Sequence, residues 1–140
     1  MYYLDTSLLV AALTNEPRTL ETQEWLAAQS PEELAISDWV VTEFSGALSV
    51  KVRTGQLSAA HRADALAVFV SLTQASFALL SASRLDFQTA ARFADQYATG
   101  LRAGDAPHLA IAANHGAQVY SLDRQLLQAA KPLGVSAAFL

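Results

Sequence analysis

The opening stretch MYYLDTSLLVAAL, residues 1–13, decides the fold class. Met1 to Leu4 form a short apolar, β-prone run, Asp5 stands at its end, and helical character begins by Ser7 and runs to Leu13. A buried strand thus passes through one acid directly into a helix. Further β-prone runs follow at Leu34–Ser37, Phe77–Ser81 and Gln118–Leu122, with a last short one at Val135–Phe139. Between them lie segments of helical period at Arg18–Gln29, Asp38–Arg53, Ser58–Ala75, Leu85–Tyr97, Ala106–His115 and Arg124–Ala130. Strands that alternate with helices predict an α/β sandwich around a mostly parallel sheet. No internal repeat, low-complexity tract or Gly/Ser/Pro-rich linker divides the chain, so residues 1–140 are expected to form one domain.

Composition narrows the chemistry. The 52% hydrophobic content supplies a core for a domain of this size. With no cysteine, disulfides, iron–sulfur clusters and thiolate zinc sites are all excluded, and any metal must be held by oxygen or imidazole. This suits a reducing cytoplasm, the expected location. The N-terminus lacks a basic leader segment and Asp5 interrupts an apolar run too short to span a bilayer, so no membrane association is expected. A net charge of −4 argues against gripping nucleic acid by bulk electrostatics. The distribution softens that argument: residues 1–43 carry eight acids against Arg18 alone, whereas residues 44–140 carry five acids and eight bases.

Four acids stand at addresses that invite explanation. Asp5 and Asp123 each follow an apolar strand, and the crevice beyond strand carboxyl ends is where open α/β sheets bind ligands. Asp105 precedes a helix in Leu-Arg-Ala-Gly-Asp-Ala-Pro-His, residues 101–108, where Gly104 permits a turn and Pro107 fits a first helical turn. For these three the competing reading is an N-cap, in which the carboxylate accepts an otherwise unpaired backbone N–H. Glu43 is expected on an apolar helix face with Trp39, Gly46, Ala47 and Val50, a costly place for a charge unless it is paired, protonated or metal-bound. Carboxylates gathered in one place repel each other, and a hard divalent cation resolves that repulsion. All-oxygen ligation favours magnesium or manganese over zinc, and the histidines lack the spacing of a zinc helix motif. His108, three residues after Asp105, reads as a supporting residue and not a ligand.

Four segments in this order resemble the PIN-domain ribonucleases, most of all the VapC-type toxins of toxin–antitoxin pairs. They are Tyr3-Leu-Asp5-Thr6-Ser7, Val41-Thr-Glu43-Phe44, Arg102 through Ala112 with Asp105 and His108, and Tyr120-Ser-Leu-Asp123-Arg124. No one of them is specific alone; together they span nearly the whole chain. The resemblance implies a PIN-like three-layer α/β/α sandwich and a Mg2+- or Mn2+-dependent endoribonuclease. It further implies a homodimer restrained by a small antitoxin protein. It places Asp5 and Asp105 at the metal, with Glu43 and Asp123 completing the acidic set. Thr6 and Ser7 would orient a ligand or water, and Arg102 and Arg124 would meet phosphate. Pro107 departs from the bulkier aliphatic residue that many relatives carry there.

Other readings are weaker. A haloacid-dehalogenase-like phosphatase needs a second acid two residues after the first, where Ser7 stands. A receiver domain needs a phosphoacceptor Asp on a central strand, and the run Phe77–Ser81 ends without one. A catalytically silent PIN-like binding module, or a nuclease of RNA processing outside a toxin pair, would show the same four segments. Which RNA is cut is not legible, and no base-stacking platform stands out in the sequence.

Overall fold

In the computed structural model, which describes Met1–Leu140, five strands form one sheet in the order β3-β2-β1-β4-β5, and every neighbouring pair is parallel. The strands are β1 (Tyr2–Leu4), β2 (Leu34–Ser37), β3 (Ala78–Leu80), β4 (Gln118–Ser121) and β5 (Ala137–Phe139). Seven α-helices connect or follow them: α1 (Thr6–Leu13), α2 (Thr19–Ala27), α3 (Asp38–Arg53), α4 (Ala59–Ala75), α5 (Arg84–Ala94), α6 (Ala106–Asn114) and α7 (Arg124–Ala130). This is the PIN-like α/β/α arrangement. No helix is long and apolar enough to cross a membrane.

Parallel strands need crossover helices, which cover the sheet and leave its central strands buried. Accordingly Tyr3 and Leu4 of β1 are fully buried, with Tyr3 opposite Ala35 on one side and Val119 on the other. The chain builds β2 and β3 to one side of β1, then crosses through α5 and α6 to lay β4 on the other side. The order therefore reverses between β1 and β4. A crevice opens beyond the carboxyl ends of strands at such a switch point, and it is here that Asp5 and Asp123 emerge.

Helix α1 is buried from Leu8 to Ala12 because it packs against α2, α3 and α4 and reaches β4, which explains its nearly uninterrupted apolar sequence. Helix α3 buries the row Val40, Phe44 and Leu48, spaced four residues apart on one face. Phe44 stacks on Phe69 of α4, ring centroids 4.2 Å apart and 20° from coplanar. Glu43 lies beside that row, and Gly46 and Val50 are exposed. The expectation that Glu43 occupies the middle of a buried arc is corrected: it sits on the arc's border, its side chain 28% exposed.

Two further expectations change. The helix expected over Leu85–Tyr97 is α5, which starts one residue earlier and stops at Ala94; a separate 3-10 turn at Tyr97–Thr99 ends in Gly100 at φ +68°. Of the apolar residues expected to spill onto a surface, Phe69 is buried against Phe44. Trp25 packs on Tyr2 and Tyr120, and Leu26 is half-buried against the core. Val70 is the one that remains exposed.

Candidate active site

Asp5 is the most buried acid of the expected set. Its backbone N–H extends the β1–β4 ladder by donating to the Tyr120 carbonyl at 3.2 Å, which holds it in the crevice with 4% of its surface exposed. Ser7 donates to Oδ1 at 2.7 Å and the Leu8 N–H at 3.3 Å, while Ser121 donates to Oδ2 at 2.8 Å. Ser121 in turn accepts from the Asp123 N–H at 2.8 Å, and Ser7 accepts from the Leu122 N–H at 3.1 Å. The two serines thereby fasten the end of β1 to the end of β4. Burial pushes the Asp5 carboxyl above the ordinary aspartate value, an effect that the charge of His108 and the hydrogen bonds of Ser7, Ser121 and Leu8 only partly oppose.

Glu43 belongs to a second network. Its Oε2 accepts from Thr6 Oγ1 at 2.7 Å and lies 2.5 Å from His108 Nε2. The other imidazole nitrogen, Nδ1, lies 2.9 Å from the Tyr3 hydroxyl, which is 2.7 Å from Ser37 Oγ. His108 is 2% exposed, so α6, β1, the end of β2 and α3 are joined by one buried chain of polar groups. Burial pulls the Glu43 carboxyl upward, but the hydrogen bond and charge of His108, then Thr6 and Arg102, outweigh it and hold the group below the usual glutamate value. Burial likewise pushes the Tyr3 phenol upward.

The third network is ionic. Arg102 donates through Nε to Asp105 at 2.6 Å and through a terminal nitrogen to Asp123, so one guanidinium holds two carboxylates together. Asp123 also caps α7, accepting from the N–H groups of Gln125 and Leu126. Asp105 makes no capping bond, so for this residue the N-cap reading fails, whereas Asp5 and Asp123 cap helices and line the crevice at once. Burial raises the Asp105 carboxyl; Arg102 opposes it and the nearby Asp123 adds to it. At Asp123 burial is outweighed by Arg102 and the two backbone donors, and its carboxyl lies below the ordinary value.

The networks adjoin. Asp5 reaches the backbone of Asp123 through Ser121, and a methyl group at Gly104 would stand 3.5 Å from Oε1 of Glu43, which places that acid against the Asp105 loop. In this arrangement the carboxylates are met by protein donors, and no three His, Asp or Glu side chains are set around one metal position. Thr6, Ser7, Arg102 and His108 all touch an acid. Arg124 does not: its guanidinium lies 4.1 Å from the centre of the Phe139 ring, which Arg18 also meets at 4.7 Å. An arginine that begins α7 is carried away from the crevice toward β5. Sequence reasoning missed Tyr3, Ser37 and Ser121. Their signal was weak: a polar group in an otherwise buried strand, which needs a partner that only the fold supplies.

Against known proteins, the family model for the PIN domain matches residues 2–132, and the chain belongs to that family. Solved structures of the same fold include FitAcB from Neisseria gonorrhoeae, 20% identical with a TM-score of 0.70, covering 98% of this chain and 96% of that one. VapC20 from Mycobacterium tuberculosis, described as a sarcin–ricin loop cleaving toxin, is 17% identical with a TM-score of 0.73 and 96% coverage of both chains. VapBC2 from Rickettsia felis, solved bound to a DNA fragment from its promoter, is 16% identical with a TM-score of 0.69, covering 99% of this chain and 97% of that one. No curated protein matches significantly by sequence.

Proposed function

We propose that this PIN-domain protein is a Mg2+- or Mn2+-dependent endoribonuclease and the toxin of a toxin–antitoxin pair. The observation that carries the reading is the Arg102 guanidinium drawn between Asp105 and Asp123 beside the buried Asp5. A cation already occupies the place where the carboxylates need one. The donor set is entirely oxygen, which fits a hard divalent ion. Asp5 and Asp105 would hold it, with Glu43 and Asp123 completing the set. When bound, such an ion polarises a phosphoryl oxygen and acidifies a water.

The chain's own residues do the rest. Thr6 and His108 fix the Oε2 edge of Glu43, so its other oxygen, Oε1, is oriented to accept a proton from an attacking water. Ser7 and Ser121 hold both oxygens of Asp5 and fix its rotamer. Arg102, half exposed and tied to the acids by charge alone, is free to exchange a carboxylate for a substrate phosphate. The toxin role draws support from neighbours that are toxins or toxin–antitoxin complexes. A small antitoxin would act in the cytoplasm by covering α2 and α4, where a groove of about 360 Å³ is lined by Leu13, Leu26, Ala27, Leu34, Leu72 and Phe77. Exposed Val68 and Val70 on α4 suit a homodimer contact.

The test is cleavage of end-labelled RNA with Mg2+ or Mn2+, with EDTA, and by Asp105→Asn. The expected result is internal cutting that needs the metal and falls at least a hundredfold in the variant. RNA left intact under every metal condition, or cut equally well by Asp105→Asn, overturns the reading.

A further inference from the structure

A second cavity opens on the far side of the Asp105 loop. It has a volume of about 360 Å³ and is walled by Trp39 of α3, Phe87 and Ala91 of α5, and Gly104 and Pro107 from the loop and the start of α6. That size falls in the range of about 300–1,000 Å³ usual for small-molecule sites. Its two aromatic walls stand at 88° to each other with ring centroids 6.4 Å apart. Trp39 is held still, because its indole N–H donates to the Gly104 carbonyl at 2.9 Å. Phe87 keeps 47% of its surface exposed, which is unusual for a ring with a cavity beside it to fill.

We propose that this cavity takes a nucleobase of the substrate strand next to the phosphate being cut. The inference rests on the nuclease reading and adds to it a site for the base. Four arguments support this occupant over any other apolar group. The first is continuity: Ala103, Gly104, Ala106 and Pro107 line the cavity, whereas Asp105 between them turns its carboxylate to Arg102. One five-residue loop therefore separates the cavity from the acids, and a strand whose phosphate lies at Asp105 must lodge an adjoining base nearby. The second is shape. Two perpendicular rings accept a flat aromatic group that lies face-on against one and edge-on to the other, the geometries that aromatic pairs favour. An aliphatic side chain gains nothing from that arrangement.

The third argument is charge. Arg84 lies one helical turn before Phe87, and Arg102 flanks the loop, so basic groups stand on both sides of an apolar slot, as the backbone of a single strand requires. The fourth is the absence of edge readers. The carbonyl of Gly104 is already engaged by Trp39, and the remaining wall is alanine and proline, so the slot reads a base by its face and area. Purines, with the larger face, bind it better than pyrimidines, which assigns a purine preference to the nucleotide beside the cut.

The test uses Trp25→Phe protein, in which Trp39 is the one remaining tryptophan. Its emission is followed on titration with adenosine 5′-monophosphate and, separately, ribose 5-phosphate, which lacks the base. Saturable quenching by the first and none by the second is expected. Ala91→Leu fills the slot from an exposed helical position that tolerates leucine, and Phe87→Ala removes one wall. With melting temperatures kept near the parent's, each should weaken the nucleotide about tenfold, equivalent to about 1.4 kcal/mol. Cut sites mapped on a random RNA pool should lose their purine bias in both variants.

Equal quenching by the two ligands overturns the proposal, as does none by either. RNA cut by Ala91→Leu with the parent's base bias overturns it while leaving the nuclease reading intact. Quenching that behaves as expected in a protein that cuts no RNA keeps the base site and removes the nuclease. A parent dimer that Ala91→Leu converts to monomer, with no nucleotide effect, gives the cavity to a second copy of the chain and overturns the proposal.

Discussion

At the scale of the residue, Asp5 shows how one carboxylate serves two demands. It caps α1 and is buried at the switch point, where its charge is costly. Because burial raises its folded value above the unfolded one, the protonated form favours folding. That contribution is complete below the ordinary aspartate value and is lost as pH rises through the raised value. Asp5→Asn keeps the cap, since Asn caps about as well as Asp, and removes the pH-dependent loss. Its metal-free melting temperature should equal or exceed the parent's at neutral pH and vary less from pH 4 to 7, as calorimetry will record. For the parent, metal at a hundred times its dissociation constant should add about 2.7 kcal/mol, and most of that gain should vanish in the variant. Arg102 yields a prediction of opposite sense. If its guanidinium occupies the cation's place between Asp105 and Asp123, Arg102→Gln should bind Mn2+ several-fold more tightly in a calorimetric titration. Equal or weaker binding would remove Arg102 from that role.

At the scale of the element, α5 owes its start to a reciprocal cap. Ser83 Oγ accepts from the Asp86 N–H, and the Asp86 carboxylate accepts from the N–H and hydroxyl of Ser83. Asn114 of α6 donates to the same carboxylate at 2.7 Å, so the cap also joins α5 to α6, the helix that begins at Asp105. Ser83→Ala should cost about 1 kcal/mol by urea denaturation. Burial pulls Asp86 upward, but the hydrogen bonds of Ser83 and Asn114 outweigh it and hold its carboxyl below the ordinary value. Its stabilisation is therefore present above the ordinary aspartate value and lost as pH falls through the folded one. Asp86→Asn should lower the neutral melting temperature while flattening its decline in acid; a parallel acid decline in the two proteins would contradict this.

At the scale of the whole molecule, the core joins α3 and α4 to the sheet through the stacked Phe44 and Phe69. Phe44→Ala should cost about 3–5 kcal/mol, a large part of the about 5–15 kcal/mol by which domains are stable. Urea unfolding will measure it, and a cost under 1 kcal/mol would show that the site collapses without loss. The proposed dimer is tested at the same scale. Light scattering at tens of micromolar should report two copies, and Val70→Glu, at an exposed position of α4, should halve that mass without lowering the melting temperature.

Strand-then-acid patterns were legible in the chain itself because a short buried strand must be apolar on both faces and a charge can appear only where the strand ends. That reasoning placed Asp5 and Asp123 at strand ends and Asp105 at a helix start, along with the alternation that makes the sheet parallel. Local rules could not say that Glu43 lies on the border of a buried row, because a helix face is defined by what packs on it. Nor could they say that Arg102 pairs with an acid 21 residues away, or that Tyr3, Ser37 and His108 share one buried hydrogen-bonded chain. The Trp39 and Phe87 walls, too, belong to different helices that meet only in the folded state. Sequence alone determined which residues carry charge and where each strand or helix changes state, since those depend on neighbours along the chain. Tertiary structure decided which charges face one another, because partner distances depend on the strand order that brings β4 beside β1.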